Sequence, residues 1–284
     1  MLRVPSEINA NHFESLKIQD MTFVAYRNEV YPSRYEVFFE EHAIIYVLEG
    51  EKKFISPDQE VHVRKGDILF VQRGFYLMSE SINDAYKSLV FFFDERLLKE
   101  FVGLHRNLFD DTSLGNRQAT QPILSFHAQT SFERFVDSIF PYFRHQSLLK
   151  TQFLKLKFQE LLLHLLEADP QLLLRQSLFT IFQNPKADLH FLMNSYALKP
   201  LTMNELARLS GRSLSAFKRD FFEQFQTSPA LWLKQKRLAY AHLLLETSAK
   251  TVAEVSMEIG YESVSHFIKA FKEIYGTTPK RLNN

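Results

Sequence analysis

Cysteine is missing from all 284 residues, which excludes disulfides, thiolate nucleophiles and zinc sites built on cysteine. The absence accords with a reducing compartment. No apolar h-region opens the chain: MLRVPSEINANHFESLK is mixed in polarity, so no secretory signal is expected there. No apolar run reaches bilayer-spanning length, since LLLHLLEADPQLLL is interrupted by charge and by Pro170. No Gly-rich phosphate loop precedes a helix, and no Gly-x-Ser-x-Gly elbow occurs. His-x-His pairs are absent too. Glu41-His42 and an isolated His62 fall short of the three ligands a catalytic metal needs, and these histidines read as surface or strand-edge residues. Catalysis therefore has no support in the sequence, and neither a metal nor a cofactor is expected.

Apolar residues make up 45% of the chain and Phe is frequent, at 28 against a single Trp. The length suits one large or two ordinary domains. Net charge is only +1 but is unevenly placed. Residues 197–284 carry 13 Lys and Arg against 8 Asp and Glu, while the remaining 196 residues carry 21 against 25. A basic tail behind an acidic front points to an anionic partner for the tail, although an imbalance of this size also arises by chance.

From about Met21 to Phe93 the chain reads as short strands: TFVAYRNEV, RYEVFF, AIIYVLEG, KKFI, EVHV, DILFVQRG and KSLVFFF are rich in β-branched and aromatic residues. Gly50, Pro57-Asp58, Lys65-Gly66-Asp67 and Gly74 punctuate them. Strands so short and frequent predict a small barrel or sandwich. Its Phe- and Tyr-rich strands either line a pocket or fill the interior. After Asp94 the period becomes helical, beginning with DERLLKEFVGL, and a loop is expected around Asp110–Gln121. In LLKTQFLKLKFQELLLHLLEA, Leu154, Phe158, Leu161 and Leu165 form one apolar stripe, and Phe153, Leu156, Leu163 and Leu166 a second. Two stripes need two surfaces. The first is assigned to a homodimer contact and the second to the β part, the alternative being burial of both within one subunit. The polar QNPKAD, with Pro185, is the expected boundary, giving domains 1–184 (strands about 15–95, helices about 94–180) and 185–284. The fold class is α+β.

Two stretches of the tail repeat one another, Glu205 to Phe225 and Glu254 to Gly276. Each opens on an acid, an aliphatic and a small residue (Glu205-Leu206-Ala207, Glu254-Val255-Ser256), and Gly211 or Gly260 follows four residues after the small one. Ser213 or Ser263 comes next, with aromatics four and eight positions on: Phe217 and Phe221, Phe267 and Phe271. The small residue lets helices cross closely, the Gly permits a left-handed turn, and the Ser caps the next helix. The aromatics pin that helix from behind. This is a helix-turn-helix pattern, and its free face can enter a major groove. The free faces hold Leu214, Ser215, Lys218 and Arg219 in one unit and Val264, Ser265, His266 and Lys269 in the other, types that read base edges and hold phosphates. Lys218 and Lys269 are read as lying on equivalent faces, five residues or more past the caps Ser213 and Ser263. Between the units PALWLKQKRLAYAHLLLETS reads as one long helix, opened by Ser228-Pro229, with Trp232, Leu233, Leu238, Ala241, Leu244 and Leu245 on its apolar face. A rod of about 25 Å suits two reading helices set near the ~34 Å of one DNA turn.

The tail from Asp188 to Leu282 resembles the AraC/XylS family of bacterial transcription regulators through KRLAYAHLLL, the Ile259-Gly260-Tyr261 turn, Phe267-x3-Phe271 and GTTPKRL. The resemblance implies a domain acting on promoter DNA, with RNA polymerase as the downstream partner, in a bacterial cytoplasm. EEHAIIYVLEGEKKF, KGDILFVQRGFYLMSE and Leu214-Ser215-Ala216-Phe217-Lys218 resemble the ExsA-type activators of type III secretion. That narrower likeness implies a cupin-like β-barrel with self-associating helices, controlled by an anti-activator protein. The alternative within the family is a barrel that binds a small effector such as a fatty acid or sugar.

Overall fold

The computed structural model describes the chain apart from residues 1, 9–13, 19–20, 29–34, 57–58, 81–85, 110–120, 145–146, 184–185, 262 and 283–284. The turn expected at Pro57-Asp58, most of the loop expected at 110–121 and the boundary residue Pro185 lie outside the described residues. The chain divides into two compact units, Met1–Asn184 and Pro185–Asn284.

In the first unit the strands form two sheets. One has the order β1 (Leu2–Val4), β4 (Tyr35–Phe39), β9 (Gly74–Glu80), β6 (Glu51–Ser56), β7 (Gln59–Arg64). The other runs β11 (Ile123–His127), β8 (Asp67–Val71), β5 (His42–Glu49), β10 (Tyr86–Phe93), β3 (Met21–Asn28), β2 (Glu14–Ile18). Of the barrel and sandwich alternatives the strands take the two-sheet form, one of the arrangements cupin-like chains adopt. All pairs are antiparallel except β1 with β4. The second sheet extends past the expected strand region: Ile123–His127 pairs in full with Asp67–Val71 although 29 residues separate it from β10.

The second sheet is buried on both faces, which explains the unbroken apolar runs of β5 and β10. Ala43, Ile45, Val47, Val90 and Phe92 face the first sheet. Ile44, Tyr46, Leu89, Phe91 and Phe93 alternate with them and face the helices. Each fully buried Phe on that face contributes roughly 1.5–3 kcal/mol of transfer free energy. The helices are α1 (Glu95–Leu104), α2 (Thr130–Asp137), α3 (Phe140–Arg144), α4 (Lys150–Glu167) and α5 (Leu173–Gln183). Asp94 caps α1, accepting from the Arg96 and Leu97 amides at 3.0 and 3.1 Å. Buried Asp169 caps α5 through the amides of Leu173, Leu174 and Arg175, at 3.0, 2.7 and 3.3 Å.

The two stripes of α4 are used in the opposite sense to that expected. Leu154, Phe158, Leu161 and Leu165 are fully buried in the core against the sheet, with Phe158 and Phe93 ring centroids 4.9 Å apart. Phe153, Leu156 and Leu163 of the second stripe are exposed at 42, 60 and 40%, and only Leu166 of that set is buried. Period alone gives both stripes equal standing; the aromatic face of the sheet selects the one that fills it. His42 also departs from expectation. It is buried, with its ring against Phe70 and Phe93 and its Nδ1 accepting from the Arg73 amide at 3.2 Å.

The second unit contains α6 (Leu189–Tyr196), α7 (Met203–Leu209), α8 (Leu214–Phe225), α9 (Pro229–Thr247), α10 (Val252–Glu258) and α11 (Val264–Tyr275), then a short 3-10 turn at Pro279–Arg281. At 19 residues, α9 is about 28 Å long. No helix among the described residues is long and apolar enough to cross a membrane.

Candidate nucleic-acid interface

The two tail units match atom by atom at their entry helices. Thr202 Oγ1 accepts from the Glu205 amide at 3.2 Å, and Glu205 Oε2 accepts from the Thr202 amide at 2.5 Å. Thr251 and Glu254 repeat this at 3.3 and 2.7 Å. These are capping boxes, each satisfying two free amides. The acids Glu205 and Glu254 open the repeated units in the sequence, and the Thr-x-x-Glu spacing is the signal that also marks Thr202 and Thr251 as caps. The Thr251 amide is the main reason the Glu254 carboxyl titrates below its usual value.

Each entry helix ends in a left-handed glycine, Gly211 at φ 68° and Gly260 at φ 82°. At Gly260 the nearest neighbour a Cβ would meet is the Arg237 guanidinium at 3.9 Å. Backbone conformation therefore demands glycine there, and crowding does not. Ser213 Oγ then accepts from the Ala216 amide at 3.3 Å to open α8, and Ser263 Oγ from the His266 amide at 3.5 Å to open α11. Ala207 and Ser256, the small residues, are buried at the crossings.

Behind α8, Phe217 and Phe221 are fully buried, and Phe221 and Phe225 lie 6.1 and 5.7 Å from Trp232 of α9. Behind α11, Phe267 and Phe271 are fully buried, and Phe271 and Tyr275 lie 5.9 and 4.6 Å from His242 of the same helix. One strut, α9, thus backs both α8 and α11 with an aromatic ring. Leu233, Leu238, Ala241 and Leu245 of the expected apolar face are buried, while Trp232 and Leu244 are half-buried. Arg237 ties the strut to the end of α6, donating to the Ala197 and Lys199 carbonyls at 3.0 and 2.7 Å, and burial pulls its pKa below the ordinary arginine value. Lys234 reaches Glu273 of α11 at 2.9 Å and holds that carboxyl below its usual range.

The outward faces hold the expected residues. Ser215, Lys218 and Arg219 of α8 are exposed and Leu214 is half-buried; Val264, Ser265, His266 and Lys269 of α11 are all exposed. The caps fix the register between the two helices. Ser213 and Ser263 are the caps, so Lys218 stands five residues past its cap and Lys269 six. Arg219, not Lys218, is the counterpart of Lys269, and Lys218 matches the half-buried Ile268.

A further feature of α8 has no trace in the local sequence pattern. Asp220 accepts from Arg212 Nε and Lys186 Nζ, both at 3.0 Å, and from the Arg219 guanidinium at 2.9 Å. Hydrogen bonds, first from Arg212 and then from Lys186 and Arg219, hold its carboxyl well below the usual carboxylate range. Arg212 also donates to the Ala187 and Ser210 carbonyls, each at 2.9 Å. Residues 34 positions apart carry no periodic signal, so only the folded chain shows this cluster. Among the described residues no three acids or histidines are grouped as a metal would require.

Two capped helix-turn-helix units on a shared strut, each presenting polar and cationic residues, define a DNA-binding transcription regulator. Residues 42–187 match the family model described as the ExsA N-terminal regulatory domain, and residues 206–284 match a helix-turn-helix domain. The chain belongs to the AraC family of transcription regulators and, through its first unit, to the ExsA-type group. It is 27% identical over 242 residues to the HTH-type transcriptional regulator ExsA of Pseudomonas aeruginosa, covering 85% of each chain. It is 23% identical over 235 residues to the thermoregulatory protein LcrF of Yersinia pestis, covering 83% of this chain and 86% of that one. Among solved structures, unsaturated fatty acid-bound ToxT of Vibrio cholerae aligns with a TM-score of 0.43 at 14% identity, covering 93% of this chain and 95% of that one. The ExsA and LcrF relatives are regulators rather than enzymes.

Proposed function

We propose that this chain activates transcription of type III secretion genes, recruiting RNA polymerase, and that an anti-activator protein controls it through the first unit. The observation that carries the reading is the joining, in one chain, of two reading helices with exposed cations to an ExsA-type front half. Transcript profiling with and without the chain tests it. Secretion-apparatus transcripts should fall when the chain is removed; a change confined to metabolic transcripts would overturn the assignment. An inhibitor acting on the first unit must leave DNA binding by residues 186–284 untouched, so inhibition of that fragment would overturn the second half of the reading.

The first unit also serves as the self-association module in this reading. The buried stripe Leu154, Phe158, Leu161 and Leu165 cannot supply the contact, whereas Phe153, Leu156 and Leu163 face outward on α4 and can meet themselves across a two-fold axis. Sedimentation of Leu156→Glu should show weakened association with the fold intact. An unchanged oligomeric state at every concentration removes α4 from the interface.

A second reading is favoured by one feature. Between the sheets lies a cavity of about 260 Å³, mostly apolar, with Lys52 in its wall. The Lys52 ammonium donates to Tyr35 Oη at 2.8 Å and sits 4.6 and 4.9 Å from the rings of Tyr86 and Tyr26. Such a site suits a small amphiphilic anion, a fatty acid rather than a sugar, as effector. Thermal shifts with medium-chain carboxylates, compared with sugars and with Lys52→Met, decide it: no ligand-dependent shift would leave the cavity without this role.

A further inference from the structure

Asp220 is an acid on a helix assigned to face a polyanion, and its surroundings explain why it is tolerated there. Its side chain is 13% exposed and faces three cations. Arg212, at 6% exposed, is turned into the protein: three of its donors go to Asp220 and to the Ala187 and Ser210 carbonyls, and its burial withholds it from DNA. Arg219 and Lys186 are different. Their side chains are 65 and 58% exposed, and each gives Asp220 one hydrogen bond while keeping its other donors outward. The matching position of α11 holds Ala270, which is buried, so the second reading helix lacks the arrangement.

We infer that Asp220 is the positioning residue of the first reading helix, aiming the Arg219 guanidinium, with Lys186 beside it, at the DNA surface and so setting how sharply α8 discriminates between sequences. The inference rests on the reading of α8 as a DNA-facing helix. A tethered guanidinium has already lost the rotamer freedom it would lose at a base edge. The carboxylate also opposes adventitious docking on phosphates, which any free cation favours. Arg212 serves as the anchor that fixes Asp220 to the Gly211 turn and to Ala187.

The test uses the full chain, a duplex selected with it from a randomised pool, and a scrambled duplex of the same composition. Asp220→Asn keeps the size of the side chain and removes its charge. Selected-site affinity should fall while scrambled-site affinity holds or rises, so that the ratio of the two drops roughly tenfold, the scale of one well-aimed side chain at a base edge. A purely structural role would lower both affinities together. Because Asp220 acts through Arg219, adding Asp220→Asn to Arg219→Ala should reduce the ratio no further. Additive losses, or an unchanged ratio in Asp220→Asn, overturn the inference while leaving α8 in the interface. If Arg219→Ala leaves both affinities unchanged, the placing of α8 against DNA fails and the inference falls with it. Circular dichroism checks the fold. Should Asp220→Asn lose helicity, Asp220→Glu carries the test: it keeps the charge but displaces it by a methylene, and should lower the ratio with Arg219 present and not in the Arg219→Ala background.

Discussion

Gln226 ends α8 in the left-handed region at φ 53°, where its counterpart Gly276 ends α11 at φ 70°. A side chain there is strained where glycine is not. Gln226→Gly should therefore stabilise the second unit by roughly 0.5–1 kcal/mol, since the Gln226 side-chain bond to the Glu223 carbonyl that it forfeits is exposed. Ser256 gives a parallel case. Its hydroxyl is buried without a hydrogen-bond partner among the described residues, and the matching residue is Ala207. Ser256→Ala should gain about 1 kcal/mol; thermal melts check both, and a fall in either would show that the repeat comparison misplaces the strain. The carboxyl of Asp220 has a depressed folded pKa, so its contribution to stability is present above the ordinary carboxylate pKa and lost as pH falls through and below that range. The melting temperature of Asp220→Asn should accordingly decline less than that of the unaltered chain on acidification towards about pH 3. For DNA contact, Ala at Arg219 or Lys269 should cost roughly 1–3 kcal/mol on matched sites if bases are touched. A uniform loss, with the salt slope reduced by about one, marks a phosphate contact. Lys218, one position nearer its cap, has no ion-pair partner among the described residues and is expected to behave as a phosphate contact. Titrations at several salt concentrations separate the cases.

At the scale of elements, α4 shows how one amphipathic rule yields two surfaces. Leu161 lies against the helix-facing side of the second sheet and Leu156 against solvent. Leu161→Ala should cost about 2–5 kcal/mol through the cavity it leaves. Leu156→Ala should stay within about 0.5 kcal/mol in the isolated subunit. Urea titrations of the two variants compare them directly, and equal losses would mean that the outward stripe is also core. The strut α9 solves the opposite problem, since it is needed on more than one side. Trp232 meets α8, His242 meets α11, and Arg237 grips the end of α6.

At the scale of the molecule, the division into Met1–Asn184 and Pro185–Asn284 gives each unit its own core. Residues from about Lys186 onward should therefore fold alone and bind promoter DNA. Removing the front should weaken cooperative occupancy of paired sites more than single-site affinity, because linked sites act through effective concentration. A helical fragment with no DNA affinity at low salt would contradict this.

Sequence alone determined the features that depend on near neighbours. The duplicated Gly-Ser-Phe-Phe pattern, the caps Ser213 and Ser263 and the long helix opened by Ser228-Pro229 all follow from spacings of a few residues. Local rules of this kind need no knowledge of what packs behind, and they carried the family and the exposed faces of α8 and α11 with them. Folding decided whatever turned on distant partners. Ile123–His127 became a strand because β8 offered an edge for it. His42 became core because Phe70 and Phe93 close over it. The stripe Leu154, Phe158, Leu161 and Leu165 became interior because the sheet presents Phe93 to it. Asp220 drew together Lys186 and Arg212 from outside its own helix. In each case the energy lies in strand pairing, desolvation or charge contact between residues that no local period brings together, and those terms exist only once the chain has folded.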